Sequence, residues 1–257
     1  MIKKLIINPL YKHSEVAIKR LIKVFHVEGK IVVVGDRNII KSNTLGEEEV
    51  GLKFFQKPNF IKSLIYGFFR ESKAKRSYNY AVKLLSYNVL TPQPIAWYEE
   101  KTSLGLLADS LYVCSYIKYD FTFRELIHNP LFPDRDNILK QFTRFTFNMH
   151  EHNVNFLDHS PGNTLIVKNK LDPKQYDFYL IDLNRMKFEK LSIHERMDNF
   201  KKLWLSKKMV AIISKEYAQL SGVLEDDLYD ELLKSSQGFK RKIVKKKYLK
   251  RMYKNRG

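Results

Sequence analysis

Apolar and polar positions change rhythm along this chain, and each change marks a different kind of element. Residues 1–12 and 22–56 alternate short β-branched runs with turn signals: LIKVFHV, KIVVV, NIIK and VGLKFF, punctuated by Gly35-Asp36 and Gly46. That alternation predicts an antiparallel meander, with Glu47, Glu48 and Glu49 as a solvated loop at its third turn. After Pro58 the apolar residues fall three and four apart, at Ile61, Leu64, Ile65, Phe68 and Phe69, then at Ala74, Tyr78, Ala81, Leu84 and Leu85. This spacing predicts two helices, broken near Glu71. Thr91-Pro92-Gln93-Pro94 ends the second one, because each proline pushes its predecessor out of helical geometry. IAWYEE, LLADS after Gly105, and LYVCSYI predict further strands. Beyond them FTFRELI and NILKQFTRFTFNMHEH read as helices, the latter closed by Asn153 in the left-handed conformation. Two short strands, TLIVKN and DFYLID, are joined by a loop with Lys170 and Asp172-Pro173, and residues 193–236 read as helical, ending near Gly238.

A β-rich front half followed by an α-rich back half is a two-lobed α+β plan. The expected divisions of this single domain are a small lobe over 1–114, a hinge near Cys114 to Lys118, a helical lobe over 119–237 and a tail over 238–257. The active site is expected between the lobes.

Charge narrows the class of partner. The 257 residues carry 46 Lys and Arg against 28 Asp and Glu, a net charge of +18, which attracts phosphate-rich molecules or anionic surfaces. The single cysteine, Cys114, excludes an internal disulfide framework and a cysteine zinc site, so a reducing, cytoplasmic setting is the expectation. The opening MIKKLIINPLYKHSE is interrupted by Asn8 and Pro9 before a signal-peptide core is complete. No stretch approaches the roughly 18–20 apolar residues of a membrane-spanning helix, so membrane contact is expected to be peripheral.

The sharpest chemical signal is FLDHSPGNTLIV followed by YLIDLNR. Asp158 lies five residues before Asn163, a short strand follows, and Asp182 ends the next strand, which is the spacing of a kinase catalytic loop and its metal-binding aspartate. Phosphoryl transfer needs a carboxylate to orient and deprotonate the attacking hydroxyl, plus an amide and a second carboxylate to hold magnesium on the phosphates. Asp158, Asn163 and Asp182 fit those roles in that order. Pro161-Gly162 would fold the loop sharply enough to return Asn163 to the site.

The stretches MHEHNVNFLDHSPGN and LIDLNRMKF resemble the catalytic loop and metal-binding segment of the lipopolysaccharide core kinase family, which phosphorylates Kdo or heptose. The resemblance extends through GDRNIIK, VGLKFFQKPNFIKSLIYGFFRESKAKRSYNYA and VLTPQPIAW and covers most of the chain. It implies a protein-kinase-like fold, ATP and Mg2+ as cofactors, a glycolipid acceptor, and action at the cytoplasmic face of the inner membrane. On the same footing Lys53 in GLKFFQKP corresponds to the strand lysine that pairs with the α- and β-phosphates of ATP.

The sequence also departs from ordinary protein kinases. There is no GxGxxG; Phe156 stands where a histidine usually precedes the catalytic aspartate; Asp182-Leu183-Asn184 replaces Asp-Phe-Gly. No helix glutamate for Lys53 is evident, Glu71 being the nearest. Two rivals therefore stay open, a non-catalytic kinase-like scaffold and a Ser/Thr protein kinase, the latter opposed by the short, basic interval after Asp182. His150, His152 and His159 have spacings unsuited to zinc, and His150 is expected to pack or cap a helix end. From Gly238 onward, ten Lys or Arg surround Phe239, Ile243, Val244, Tyr248, Leu249, Met252 and Tyr253. A basic amphipathic segment of this kind has the form of an anchor on anionic membrane, each cation contributing about 1 kcal/mol, the alternative being a solvated helix or disordered basic tail that only aids solubility. No nucleic-acid fold accompanies it, so nucleic acid is not an expected partner.

Overall fold

The computed structural model describes residues 1–36 and 38–254, so Arg37 of the GDRNIIK segment and residues 255–257 of the tail lie outside the described part. The chain divides into two compact units, one of residues 1–118 with 182–184, the other of residues 119–181 with 185–257.

The first unit is built on a six-stranded antiparallel sheet. Its elements run β1 (Ile2–Ile7), α1 (Glu15–Lys23), β2 (Lys30–Gly35), β3 (Asn38–Leu45), β4 (Glu48–Phe55), α2 (Phe60–Leu64), α3 (Lys73–Ser86), β5 (Pro94–Lys101) and β6 (Leu107–Ser115). The strand order is β1-β5-β6-β4-β3-β2. Because side chains alternate across a strand, each face of the sheet carries its own helix. Val50, Leu52, Leu111 and Val113 pack with Ile18, Leu21 and Phe25 from α1 and the turn after it. Phe55, Trp97 and Tyr112 pack with Ala74 and Tyr78 of α3. Lys53, two residues before Phe55 and paired in register with Tyr112, belongs to the α3 face.

The segment LIKVFHV corrects the expected meander. Ile18, Leu21, Ile22 and Phe25 recur at helical spacing, and the run forms the end of α1 and a turn instead of a strand. Glu47 stands in the expected turn, but Glu48 and Glu49 open β4, where they meet Tyr11 and Lys118. The predicted break between helices falls at Glu71, after a π-helical turn over Ile65–Phe69. The apolar stripe of that first helix does not face the core. Its docked residues are small: Ser63 donates to the Leu107 carbonyl, and Gly67 lies so close to the β5–β6 turn that a Cβ there would sit 2.5 Å from the Gly105 oxygen.

The second unit contains β7 (Phe121–Thr122), α4 (Phe123–His128), α5 (Arg135–Glu151), β8 (Val154–Phe156), β9 (Thr164–Lys168), β10 (Tyr176–Leu180), β11 (Met186–Phe188), α6 (Ile193–Asn199), α7 (Lys207–Ser221) and α8 (Glu225–Lys254). Its core gathers Phe123, Phe142, Phe200, Tyr217 and Leu232 from α4, α5, α7, α8 and the turn after α6. Asn153 takes the left-handed conformation expected at the end of α5, with φ 58°. α8 runs unbroken through Gly238, where the sequence predicts an end; no Cβ contact constrains that glycine, and the helix simply pays its modest propensity cost.

Candidate active site

Lys53 projects from β4, a central strand of the first unit. Its ammonium lies 5.5 Å over the Phe55 ring and 2.6 Å from Oδ1 of Asp182. An ammonium on a largely enclosed strand face requires a counter-ion, and here that counter-ion is Asp182. Glu71 does not fill the role: it pairs with Lys75 at 2.8 Å and accepts from Asn79 at 3.3 Å. The start of α3 is cationic instead, with Lys73 5.6 Å over Phe55 and Lys75 5.8 Å over Trp97.

Asp182 adopts φ 60°, a left-handed conformation that aspartate tolerates better than most residues. It lies two residues past the end of β10, and the intervening amide of Ile181 is tied to the Asn163 carbonyl at 3.0 Å. Asn184 Nδ2 donates to the same Asp182 oxygen at 2.6 Å, while Leu183 is buried. The Asp-Leu-Asn sequence is thus a compact turn in which the third residue orients the first.

In the second unit, Asp158 stands just past β8, which pairs with β11 so that Phe156 faces Met186. Its carboxylate is half-buried and held by two cations: Lys202 Nζ at 3.0 Å from Oδ1, and Arg185 at 3.7 Å from Oδ2. Lys202 also donates to the Leu157 carbonyl at 2.6 Å, fixing carboxylate and backbone together. Asn163 closes the loop from a 3₁₀ turn over Pro161–Asn163, its Nδ2 donating to the Asp158 carbonyl at 2.9 Å. That bond leaves its amide oxygen as the group suited to a cation. Gly162 has an ordinary φ, and the reason for glycine is proximity: a Cβ would meet the Arg124 guanidinium at 2.5 Å. The Pro-Gly pair thus opens the tight turn expected of it, which returns Asn163 to Asp158, and its glycine also leaves room for the Arg124 guanidinium.

Beneath this loop lies a buried polar network. Asn199 Oδ1 meets His159 Nδ1 at 3.0 Å and His150 Nε2 at 3.3 Å, while its Nδ2 donates to Asn155 Oδ1 at 2.8 Å and the Phe156 carbonyl at 3.0 Å. The other nitrogen of His150 meets Tyr217 Oη at 3.0 Å. The network assigns the tautomers: both histidines donate to Asn199, and His150 accepts from Tyr217. Burial pushes His150 down to about 3 and His159 down to about 4, against which Asn199 acts in the opposite sense. Both are neutral supports of the loop, and His150 packs as expected. Phe156 is fully buried beside His159, with ring centroids 5.8 Å apart.

The sequence assigns Lys53, Asp158, Asn163 and Asp182 to the site, and the structure brings Lys53 onto Asp182 and Asn163 onto Asp158. It adds Lys202, Arg185, Arg124 and Asn199. None of the first three stands out by spacing among 46 cations, and Asn199 lies on a different helix from the loop it supports. Taken singly, the Asp182 carboxylate and the Asn163 amide oxygen are hard ligands of the kind magnesium takes, usually together with phosphate oxygens and water.

The fold is kinase-like α+β, with a β-rich N-terminal unit and a helical C-terminal one. It is shared with the solved structure of WaaP in complex with acyl carrier protein, at a TM-score of 0.65, covering 94% of this chain and 98% of that one. Sequence identity over the match is 14%, so the likeness is one of fold. No family model matches the chain, and no curated protein matches it in sequence. Among the described residues, no helix is long and apolar enough to cross a membrane.

Proposed function

We propose that this protein is an ATP-dependent kinase that transfers the γ-phosphate to a sugar hydroxyl, Kdo or heptose, of the lipopolysaccharide inner core. The observation that carries the reading is the 2.6 Å contact between Lys53 and Asp182, two residues 129 positions apart that the kinase pattern assigns to one nucleotide. Lys53 binds the α- and β-phosphates; Asp182 and the amide oxygen of Asn163 hold Mg2+. Magnesium, when bound, neutralises phosphate charge and orients the transferred group. Asp158 orients the acceptor hydroxyl and takes its proton, while Lys202 and Arg185 hold the carboxylate in place and offset the negative charge that gathers beside it. The acceptor class rests on the resemblance of the two loop segments to lipopolysaccharide core kinases, and the fold shared with WaaP supports it.

A non-catalytic scaffold remains the rival, favoured by one observation: Lys53 has no helix glutamate, and the facing helix opens with lysines. A Ser/Thr protein kinase is opposed by the chain after Asn184, which forms only β11 and a turn before α6. Incubating the protein with γ-labelled ATP, magnesium and a panel of Kdo- and heptose-containing core glycolipids decides the matter. The assay is run with and without acyl carrier protein, which is present in the WaaP structure. Label on a sugar phosphate that is absent with Asp158→Ala establishes the reaction. Nucleotide binding with no transfer to any acceptor supports the scaffold.

A further inference from the structure

Amphipathic helices of globular proteins turn apolar residues inward and polar ones to water. The segment Phe60–Phe69 does the reverse. Ser63 and Gly67, one turn apart, face the β5–β6 hairpin, where Lys101 also donates to the Gly67 carbonyl at 3.0 Å. The outward face carries six large apolar side chains, with Phe60 71%, Ile61 68%, Phe68 60% and Phe69 83% exposed, and Leu64 and Ile65 40% each. A contiguous apolar patch of this kind marks a surface made to leave water.

Its charge setting identifies the medium. Between Val50 and Arg70 there is no Asp or Glu, while Lys57, Lys62 and Arg70 are exposed in or beside the patch. The nearest carboxylate in the chain beyond Arg70, Glu71, is paired with Lys75, and an apolar, aromatic patch with cations in and beside it matches the interface of an anionic bilayer, where rings enter the acyl boundary and ammonium groups stay with the phosphates.

The far end of α8 carries the same chemistry independently. The row that packs inside the second unit, Leu228, Leu232, Ser236 and Phe239, continues past Ile243 into Lys246, Lys247 and Lys250. A separate exposed row, Val244, Tyr248 and Met252, follows at four-residue spacing on another side of the helix, with Leu249 beside it. The side chain of Tyr253, which the sequence adds to this stripe, lies outside the described part. α8 therefore does not extend its core face; it replaces it with lysine and exposes an apolar row elsewhere.

We infer that the chain docks onto an anionic lipid bilayer through Phe60–Phe69 as the inserted wedge, and that the C-terminal third of α8 is a separate electrostatic contact for the same kind of surface. The test is flotation of the full chain with vesicles of phosphatidylcholine, with and without phosphatidylglycerol. The protein is expected to float with the anionic vesicles and to remain below with the neutral ones. Phe60→Asp with Phe69→Asp is expected to weaken partitioning at least about tenfold. Lys246→Glu with Lys250→Glu is expected to weaken it at low salt and flatten its salt dependence. All four positions are exposed, so an unchanged melting temperature verifies the fold. Failure of the unaltered chain to float with anionic vesicles overturns the inference, as does unchanged partitioning of the Phe60/Phe69 variant. A loss of dimer in sedimentation velocity caused by that variant, with flotation intact, overturns it in favour of a second copy as the occupant. No arm depends on kinase activity, so the outcome is separate from that of the transfer assay.

Discussion

The side-chain oxygen of Asn199 lies 3.0 Å from Nδ1 of His159, the residue that follows Asp158. A loop that must hold a carboxylate still is thus braced from below by an amide whose hydrogen-bonding capacity is fully spent.

This brace makes stability fall in acid. His150 and His159, depressed to about 3 and about 4, remain neutral in the fold but take up protons near pH 6.5 once unfolded. The unfolded state then binds more protons, so their contribution is complete above pH 6.5 and is lost as pH falls towards 4, at up to about 1.4 kcal/mol per pH unit for each histidine. Urea denaturation at pH 7 and pH 5 measures the loss. NMR titration should find two of the seven histidines still neutral at pH 5; both titrating near 6.5 would contradict the network.

Under the proposed function, the two aspartates should separate binding from transfer. Asp182→Ala is expected to abolish magnesium-dependent nucleotide binding, because it removes both the metal ligand and the counter-ion of Lys53. Asp158→Ala is expected to leave ATP affinity intact and lower kcat by about 10²–10⁴-fold. Calorimetric titration with Mg-ATP alongside the labelled-transfer assay distinguishes them, and equal loss of binding in both would contradict the division of roles.

Lys202 positions Asp158. Lys202→Met is expected to lower kcat at least about tenfold while leaving ATP affinity and melting temperature unchanged, with Lys202→Arg recovering part of the rate. A merely structural lysine would move the melting temperature and be indifferent to the charge restored by arginine.

Two glycines should respond with opposite signs. Gly67→Ala forces a Cβ to within 2.5 Å of a backbone oxygen and is expected to destabilise by about 1–3 kcal/mol. Gly238→Ala meets nothing within 4 Å in the middle of α8 and is expected to stabilise by about 0.5–1 kcal/mol. Denaturant midpoints of the two variants read both.

The strands of the sheet, the broken helix near Glu71 and the left-handed Asn153 were legible because each rests on local periodicity or on one residue's backbone preference. LIKVFHV was misread because β-branched content outweighed the i, i+3, i+4 spacing of Ile18, Leu21 and Ile22. The stripe from Ile61 to Phe69 has the period of a core helix, and nothing local to it reveals that Ser63 and Gly67 form the docked side. In the candidate site, spacing within motifs singled out Asp158, Asn163 and Asp182, and the family resemblance singled out Lys53. Neither singled out Lys202 or Asn199, since they reach the loop from about forty residues away and belong to no motif.

Asp182, Leu183 and Asn184 belong to the first unit although the chain reaches them only after building all of α5 and the β9–β10 hairpin in the second. On a ribosome adding about 5–20 residues per second, the counter-ion of Lys53 is therefore made roughly 6–26 seconds after the lysine itself. The last strand of the sheet, β6, is itself complete well before residue 182, so the N-terminal unit cannot reach its final electrostatic state until translation has passed that residue.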